Sequence, residues 1–167
     1  MATGGRPAFD RAAVPSGMEQ KRIGLAVADW NPEITHALRD GALEVLSAAG
    51  VENLEVHPVP GAFELPLAAS WLLSHGLCDG VIAIGSVIRG ETAHFDFVCS
   101  GASSGLMQVG LEHEKPAIFC VLTDDNIEQA RARAGGALGN KGEEAALACL
   151  EMLQLEDCLR NSHNEAS

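Results

Sequence analysis

The sequence is poor in positive charge. Its 11 Lys and Arg residues are outnumbered by 23 Asp and Glu residues, which gives a formal net charge of -12 at pH 7. A protein surface of that sign repels phosphate backbones instead of collecting them. Nucleic acid is therefore not expected as a partner.

The chain also lacks the long apolar runs of membrane and secreted proteins. Hydrophobic residues make up 47% and charged residues 20% of its 167 positions, and the mean hydropathy is +0.09. The first 21 residues carry Gly, Pro and charged side chains and contain no continuous apolar segment of the secretory type. We therefore expect a soluble globular protein in the cytoplasm, with no membrane association.

Signatures of metal and disulfide sites are missing as well. The five cysteines are an odd number without a CxxC pair, so we expect them to be reduced and mostly buried as small apolar side chains. The six histidines show no ligand spacing such as HExxH. The sequence predicts no metal.

What is present is an alternation of short β-branched runs with longer segments of helical period. The predicted strands are 22–28, 54–59, 80–84 and 117–122. Helices are predicted between Asn31, as N-cap, and Gly50, and at about 62–75, 92–112, 127–133 and 141–155. Near-continuous apolar strands joined by helices predict an α/β fold, a three-layer αβα sandwich around a doubly wound, four-stranded parallel sheet. The domain is expected at 22–155, between a flexible leader (1–21) and a tail (156–167).

The segments that follow the strands are where ligands bind in such sheets. One of them, GSVIRGET at 85–92, fits the phosphate-binding pattern GxxxxGK[ST] except that Glu91 replaces the Lys, so a nucleoside triphosphatase is not expected. Backbone N–H groups near Glu91 and Thr92, at the positive end of a helix dipole, predict a site for one small phosphate. An ordinary capped turn is the alternative.

Further candidate groups stand close to these segments. His94, predicted in the same first helical turn as Thr92, is either a proton-transfer group or a lone hydrogen-bonded side chain. Glu64 lies in an otherwise apolar segment and either caps a helix or binds ligand hydroxyls. Arg131 and Arg133 each offer a guanidinium that suits phosphate, or are simply solvated, and Lys141 is a second possible cation.

Aromatic residues are scarce, with five Phe, two Trp and no Tyr. Trp30, Phe63 and Phe119 nevertheless stand at or near the ends of three predicted strands. This placement favours an aromatic clamp for a planar ring, with core packing as the alternative.

Four segments, in this order and spacing, resemble those of the 6,7-dimethyl-8-ribityllumazine synthases. They are VPGAFELP at 59–66, GSVIRGETAHFDFV at 85–98, VLT at 121–123 with EQA at 128–130, and GNKG at 139–142. The resemblance covers residues 22–155 and implies a flavodoxin-like fold without cofactor or metal. It implies the penultimate step of riboflavin biosynthesis, in which 5-amino-6-ribitylamino-pyrimidinedione condenses with 3,4-dihydroxy-2-butanone 4-phosphate, losing phosphate and water.

The resemblance also implies a role for individual residues. The pyrimidine and its ribityl chain would be bound by Trp30, Asn31, Ala62, Glu64, Val87 and Ile88, and Phe63 is added to this substrate site as a member of the aromatic clamp. The phosphate would be bound by Thr92, the Glu91 backbone and Arg133, and His94 would transfer protons. Phe119, Arg133 and Lys141 would reach in from a neighbouring subunit of a homopentamer, so a monomer should be inactive. Because two substrates must be aligned, we expect positioning to matter more for the rate than His94.

Three positions depart from the usual family pattern. Trp30 replaces the common Phe, in DWN where Arg-aromatic-Asn is usual, so riboflavin could be a tight ligand. Ser86 replaces a frequent Cys, for which no role is needed. The turn at 135–139 has no insertion, which in this family accompanies pentamers that can close into icosahedral shells.

Two alternative functions stay open at this point. One is the related archaeal-type riboflavin synthase, which shares the fold. The other is a non-catalytic flavin-binding or shell-forming paralogue, supported by Trp30 and the acidic charge. The acidic surface also leaves riboflavin synthase as a candidate partner.

Overall fold

The computed structural model describes residues 14–74 and 76–165. Most of the leader predicted at 1–21, and the last two residues of the tail predicted at 156–167, lie outside the described residues. Within the described part, Met18 is buried in the core. The Lys21 ammonium also lies 2.7 Å from the Asp157 carboxylate. Residues on both sides of the predicted domain boundaries therefore contact the domain.

A sheet of four parallel strands in the order β2-β1-β3-β4 forms the centre of the molecule. Its strands are β1 (Arg22–Ala28), β2 (Asn53–Val59), β3 (Gly80–Ile88) and β4 (Ala117–Asp124). The helices are α1 (Pro32–Ala48), α2 (Leu65–Ser74), α3 (His94–His113), α4 (Ile127–Arg133) and α5 (Lys141–Glu165), with a 3₁₀ turn at Ala62–Glu64. The predicted α/β class and doubly wound four-stranded parallel sheet are confirmed.

The central strands β1 and β3 are apolar along nearly their whole length because both faces of the sheet are covered. Successive β3 side chains enter different cores. Ile82 and Ile84 pack with α1 and α5 on one face, whereas Val81 and Ala83 pack with α2 and α3 on the other. The helices therefore form two outer layers around the sheet.

Several element boundaries differ from the predicted ones. β3 continues to Ile88, past the predicted end at residue 84, because its residues 85–88 stay paired with β4. α5 continues to Glu165, past the predicted end at residue 155. The turn predicted before α5 contains a short antiparallel pair, β5 (Ala134–Gly136) and β6 (Gly139–Asn140).

The cysteines sit mainly in the interior, as expected. Cys78, Cys120 and Cys149 are buried, Cys99 is half-buried and Cys158 is exposed, all as free thiols. Burial raises the pKa of Cys78 to about 11 and the pKa values of Cys120 and Cys149 to about 12. The buried thiols therefore stay protonated near neutral pH.

The helices of the described residues include none that is long and apolar enough to cross a lipid bilayer.

The start of α5 packs directly against α1. The Asn140 side chain joins them, because its Nδ2 donates to the Ala37 carbonyl at 2.9 Å and its Oδ1 accepts from the Gly142 N–H at 2.8 Å. A Cβ on Gly142 would overlap the Leu38 carbonyl group. Only glycine allows this approach of the two backbones.

Gly142→Ala should therefore destabilise the fold. We expect a loss of about 1–3 kcal/mol of unfolding free energy, because the added methyl group must push α5 away from α1. Urea denaturation measures this, with Gly90→Ala as the control, since a Cβ at Gly90 meets nothing within 4 Å. Equal midpoints for the two variants would contradict the close approach.

Candidate active site

The carboxyl ends of β1 and β3 open into a pocket of about 710 Å³. It lies where a doubly wound sheet is expected to bind ligands. The lining is mainly apolar with few polar groups, as in small-molecule sites. The residues that line it are Trp30, Asn31, Gly61, Ala62, Phe63, Glu64, Ser86, Val87, Ile88, His94, Phe97 and Val98.

The turn after β1 has an unusual backbone. Asn31 adopts the left-handed conformation, with φ 55° and ψ 57°, immediately before α1 begins at Pro32. Asn31 is the N-cap residue, as predicted, but its side chain makes no cap hydrogen bond to the described residues of α1. In this conformation Nδ2 donates to the Ser86 carbonyl at 2.9 Å, which ties the turn after β1 to the end of β3.

The 3₁₀ turn after β2 brings an aromatic ring and a carboxylate to the same pocket. Phe63 and Glu64 are both exposed, whereas Ala62 is buried behind them. A Cβ on Gly61 would lie 3.1 Å from Glu64 Oε2 and 3.4 Å from Trp30 Cδ1, so the absence of a side chain leaves room for both groups. In the described part of the chain the Glu64 carboxylate has no hydrogen-bond partner, so it caps no helix and remains available to a ligand.

The aromatic residues at the strand ends are not core residues. The exposed fractions are 72% for Trp30, 59% for Phe63 and 40% for Phe119. Trp30 and Phe63 line the same pocket, but Phe119 projects from β4 outside it. One chain therefore supplies two of the three rings of the predicted clamp.

The segment between β3 and α3 carries the predicted phosphate site. α3 begins at His94, so Thr92 precedes the helix and does not share its first turn, contrary to expectation. The Thr92 hydroxyl accepts a hydrogen bond from the His94 N–H at 3.4 Å. Within the described residues the N–H groups of Gly90, Glu91 and Thr92 have no partner. The segment thus combines one capping contact with free donors beside a helix N-terminus, which suits an anion.

An ion-pair network holds this segment in place. Arg89 Nε donates to Asp125 at 3.0 Å, and Nη2 lies 3.3 Å from the Asp96 carboxylate. Its guanidinium also lies 4.1 Å from the centroid of the Phe95 ring. Hydrogen bonds to Asp125 and Asp96 raise the pKa of Arg89 above its ordinary value. The loop before α3 is therefore attached to the loop after β4.

Four lining residues were not among the predicted site residues: Gly61, Ser86, Phe97 and Val98. Phe97 and Val98 on α3 face the pocket beside His94. His94 and Phe97 are three residues apart, a spacing that places side chains on the same helix face. That spacing was the signal that could have identified Phe97.

The two candidate arginines differ in their partners. Arg131 donates Nε and Nη2 to the Glu33 carboxylate at 2.8 and 2.9 Å, which occupies the edge that would grip a phosphate. The hydrogen bond from Arg131 lowers the pKa of Glu33. Arg133 uses only Nη1, which donates to the Gln129 carbonyl at 3.0 Å and lies 3.6 Å from Asp124. Its Nε and Nη2 have no partner among the described residues.

The remaining candidates lie away from the pocket. Lys141, at the start of α5, pairs with Glu144 at 2.6 Å. The pocket lining does not include Phe119, Arg133, Lys141, Glu91 or Thr92. The structure thus brings together Trp30, Asn31, Ala62, Phe63, Glu64, Val87, Ile88 and His94. It leaves the other five predicted residues outside.

The sequence is similar to known proteins over most of its length. Residues 20–157 match the family model of 6,7-dimethyl-8-ribityllumazine synthase. A synthase of that name from Cytophaga hutchinsonii is 50% identical over 138 residues, which cover 81% of this chain and 87% of the relative. Those from Christiangramia forsetii and Porphyromonas gingivalis are 45% and 47% identical over 150 residues each. These alignments cover 88% and 89% of this chain and 89% and 92% of the relatives.

Two substitutions at Asn31 should separate the effect of its left-handed backbone on stability from the effect of its side-chain hydrogen bond. Asn31→Ala loses the hydrogen bond to Ser86 and keeps a Cβ in the left-handed region without the polar side chain that favours Asn there. Asn31→Gly loses the same hydrogen bond but also removes the Cβ. We expect Ala to be less stable than Gly by about 1 kcal/mol in urea denaturation. If the two variants unfold at the same urea concentration, the left-handed turn carries no cost and this account of it is wrong.

Proposed function

The chain belongs to the 6,7-dimethyl-8-ribityllumazine synthase family, and we propose that its site is divided between the pocket of one subunit and three side chains of a neighbour. The enzyme condenses 5-amino-6-ribitylamino-pyrimidinedione with 3,4-dihydroxy-2-butanone 4-phosphate in riboflavin biosynthesis. One observation carries the proposal of a divided site. The pocket holds Trp30, Glu64 and His94, but Phe119, Arg133 and Lys141 lie outside it.

The pocket would bind the pyrimidine. The exposed Trp30 indole offers a flat apolar face for the ring, and Val87 and Ile88 line the same pocket. The unpaired Glu64 carboxylate can accept hydrogen bonds from ring N–H groups or ribityl hydroxyls. Asn31, Ala62 and Phe63 complete the walls.

The segment before α3 would bind the phosphate. The free N–H groups of Glu91 and Thr92, next to the positive end of the α3 dipole, suit an anion. The missing cation would be Arg133 of the neighbour. Its Nε and Nη2 have no partner within 14–74 and 76–165, so this edge can make two parallel hydrogen bonds. Arg131 is a poorer candidate because Glu33 already occupies the same edge of its guanidinium.

His94 would move protons between the two substrates. It lines the pocket at the first residue of α3, two positions after Thr92. The substrate amine attacks the ketone, the carbinolamine loses water, and phosphate leaves before the ring closes. Each of these steps moves a proton or releases an anion, which an imidazole near neutral pH can assist. Alignment of the two substrates would contribute more than this proton transfer.

The neighbouring side chains require an assembly, for which we propose a homopentamer. The outer faces of α2 and α3 expose large apolar side chains that assembly would cover: Leu67, Trp71, Met107 and Leu111. The hairpin between β5 and β6 carries no insertion that would obstruct a further shell of pentamers. We place the reaction in the cytoplasm, because buried free thiols suit a reducing compartment.

Replacement of Arg133 should remove the cation that binds the substrate phosphate. Arg133→Ala is expected to lower kcat/KM for the butanone phosphate at least about 30-fold, as for other truncated charge pairs, measured by lumazine absorbance. Arg131→Ala is the matched control and should change kcat/KM less than about twofold, since exposed ion pairs contribute little. Similar losses in both variants would refute the assignment of Arg133.

Mixed assemblies should reveal whether sites are shared. His94→Ala and Arg133→Ala place their defects on opposite sides of each subunit contact, so co-refolding them in equal amounts should restore intact sites at about one contact in four. Activity should therefore rise to roughly a quarter of that of the unaltered protein. Each variant refolded alone is the control. No recovery, in assemblies shown to contain both variants, would mean that each chain forms its own site.

A further inference from the structure

Asp124 is a buried carboxylate beside the proposed phosphate-binding arginine. It is the last residue of β4 and only 5% exposed. Its Oδ1 lies 3.6 Å from Arg133 Nη1, and its Oδ2 is buried without a hydrogen-bond partner among the described residues. Its backbone carbonyl accepts from the Arg89 N–H at 2.9 Å, which holds the residue in the sheet.

The orientation of the Arg133 side chain and its attraction for an anion depend on different contacts. The guanidinium is anchored by the hydrogen bond from Nη1 to the Gln129 carbonyl at 3.0 Å. The 3.6 Å separation from Asp124 is too long for a hydrogen bond, so the carboxylate acts on Arg133 through charge. Removing that charge should leave Arg133 in place but increase its attraction for an anion.

The ionised form of Asp124 is also disfavoured by its burial. Burial raises the pKa of its carboxyl, Arg133 opposes that shift and Asp125 adds to it. A fully buried oxygen without a partner contributes nothing evident to folding and is expected to destabilise the native state. Its placement is explained more readily by an effect on Arg133.

We propose that Asp124 is an affinity-setting residue, a buried counter-ion that weakens the hold of Arg133 on phosphate. This inference rests on the proposed role of Arg133. The reaction releases inorganic phosphate from the same position that binds the phosphate ester, so an unopposed arginine would retain the product. Asp124 partly neutralises Arg133, which weakens the binding of the phosphate ester and of inorganic phosphate enough for the product to leave.

The test compares phosphate inhibition in the assembled enzyme. Asp124→Asn keeps the shape of the side chain and removes its charge, and the inhibition constant of inorganic phosphate should fall about three- to tenfold. The KM for the butanone phosphate should fall with it, whereas kcat should not rise. Glu128→Gln is the matched control, because it removes the same charge from an exposed side chain on α4 that acts on Arg131 instead of Arg133.

A second neutral variant guards against a folding defect. Asp124→Ser is smaller and should tighten phosphate binding in the same direction. Unchanged or weaker phosphate binding in a folded neutral variant overturns the inference about Asp124 if Arg133→Ala still weakens phosphate binding. If Arg133→Ala leaves phosphate binding unchanged, the proposed role of Arg133 fails first, and the role of Asp124 fails with it. Damage to the structure would not tighten binding.

Discussion

The pairing of β1 with β3 is the constraint on which the site depends. Both strands lie in the middle of the sheet and are covered on both faces, and their register from Ile23 opposite Gly80 carries both to the same edge. The turn after β1 and the last residues of β3 therefore meet, and the hydrogen bond from Asn31 to Ser86 closes the contact. Trp30, in the turn after β1, thus lies beside the end of β3 and the start of α3, because the packed core fixes the positions of these two strands.

The ion pairs within one chain determine which of its charged side chains can still bind a ligand. Arg131 is held by Glu33 on α1, whereas one edge of the Arg133 guanidinium meets no partner in the described part of the chain. Among those same residues the Glu64 carboxylate in the pocket is also unpaired. One chain thus presents a hydrogen-bond acceptor inside its pocket and a cation outside it, which is why we propose that a second chain completes the site.

Much of the fold could be predicted because the apolar pattern has a different period in strands and helices. The end of β3 was predicted too early, since Gly85 and Ser86 resemble a turn, yet pairing with β4 keeps them extended. Asn before Pro predicts the N-cap position of α1 correctly, but the pattern does not show that the Asn31 side chain bonds to Ser86, 55 positions away, instead of to the helix. Local pattern does not distinguish Arg131 from Arg133, and only the family resemblance indicates Arg133. The contact that separates the two arginines joins Arg131 to Glu33, 98 positions away in the chain, and no local pattern reports such a partner.

The division of the site can be measured directly. A crystal structure of the assembled protein with an unreactive pyrimidine analogue and inorganic phosphate would show which chain contacts each ligand. The account predicts the pyrimidine ring on Trp30 and the phosphate at Thr92 of one subunit, with Arg133 Nε and Nη2 of the neighbour on the same phosphate. A phosphate bound at Thr92 without any contact to Arg133 of a neighbouring subunit would contradict it.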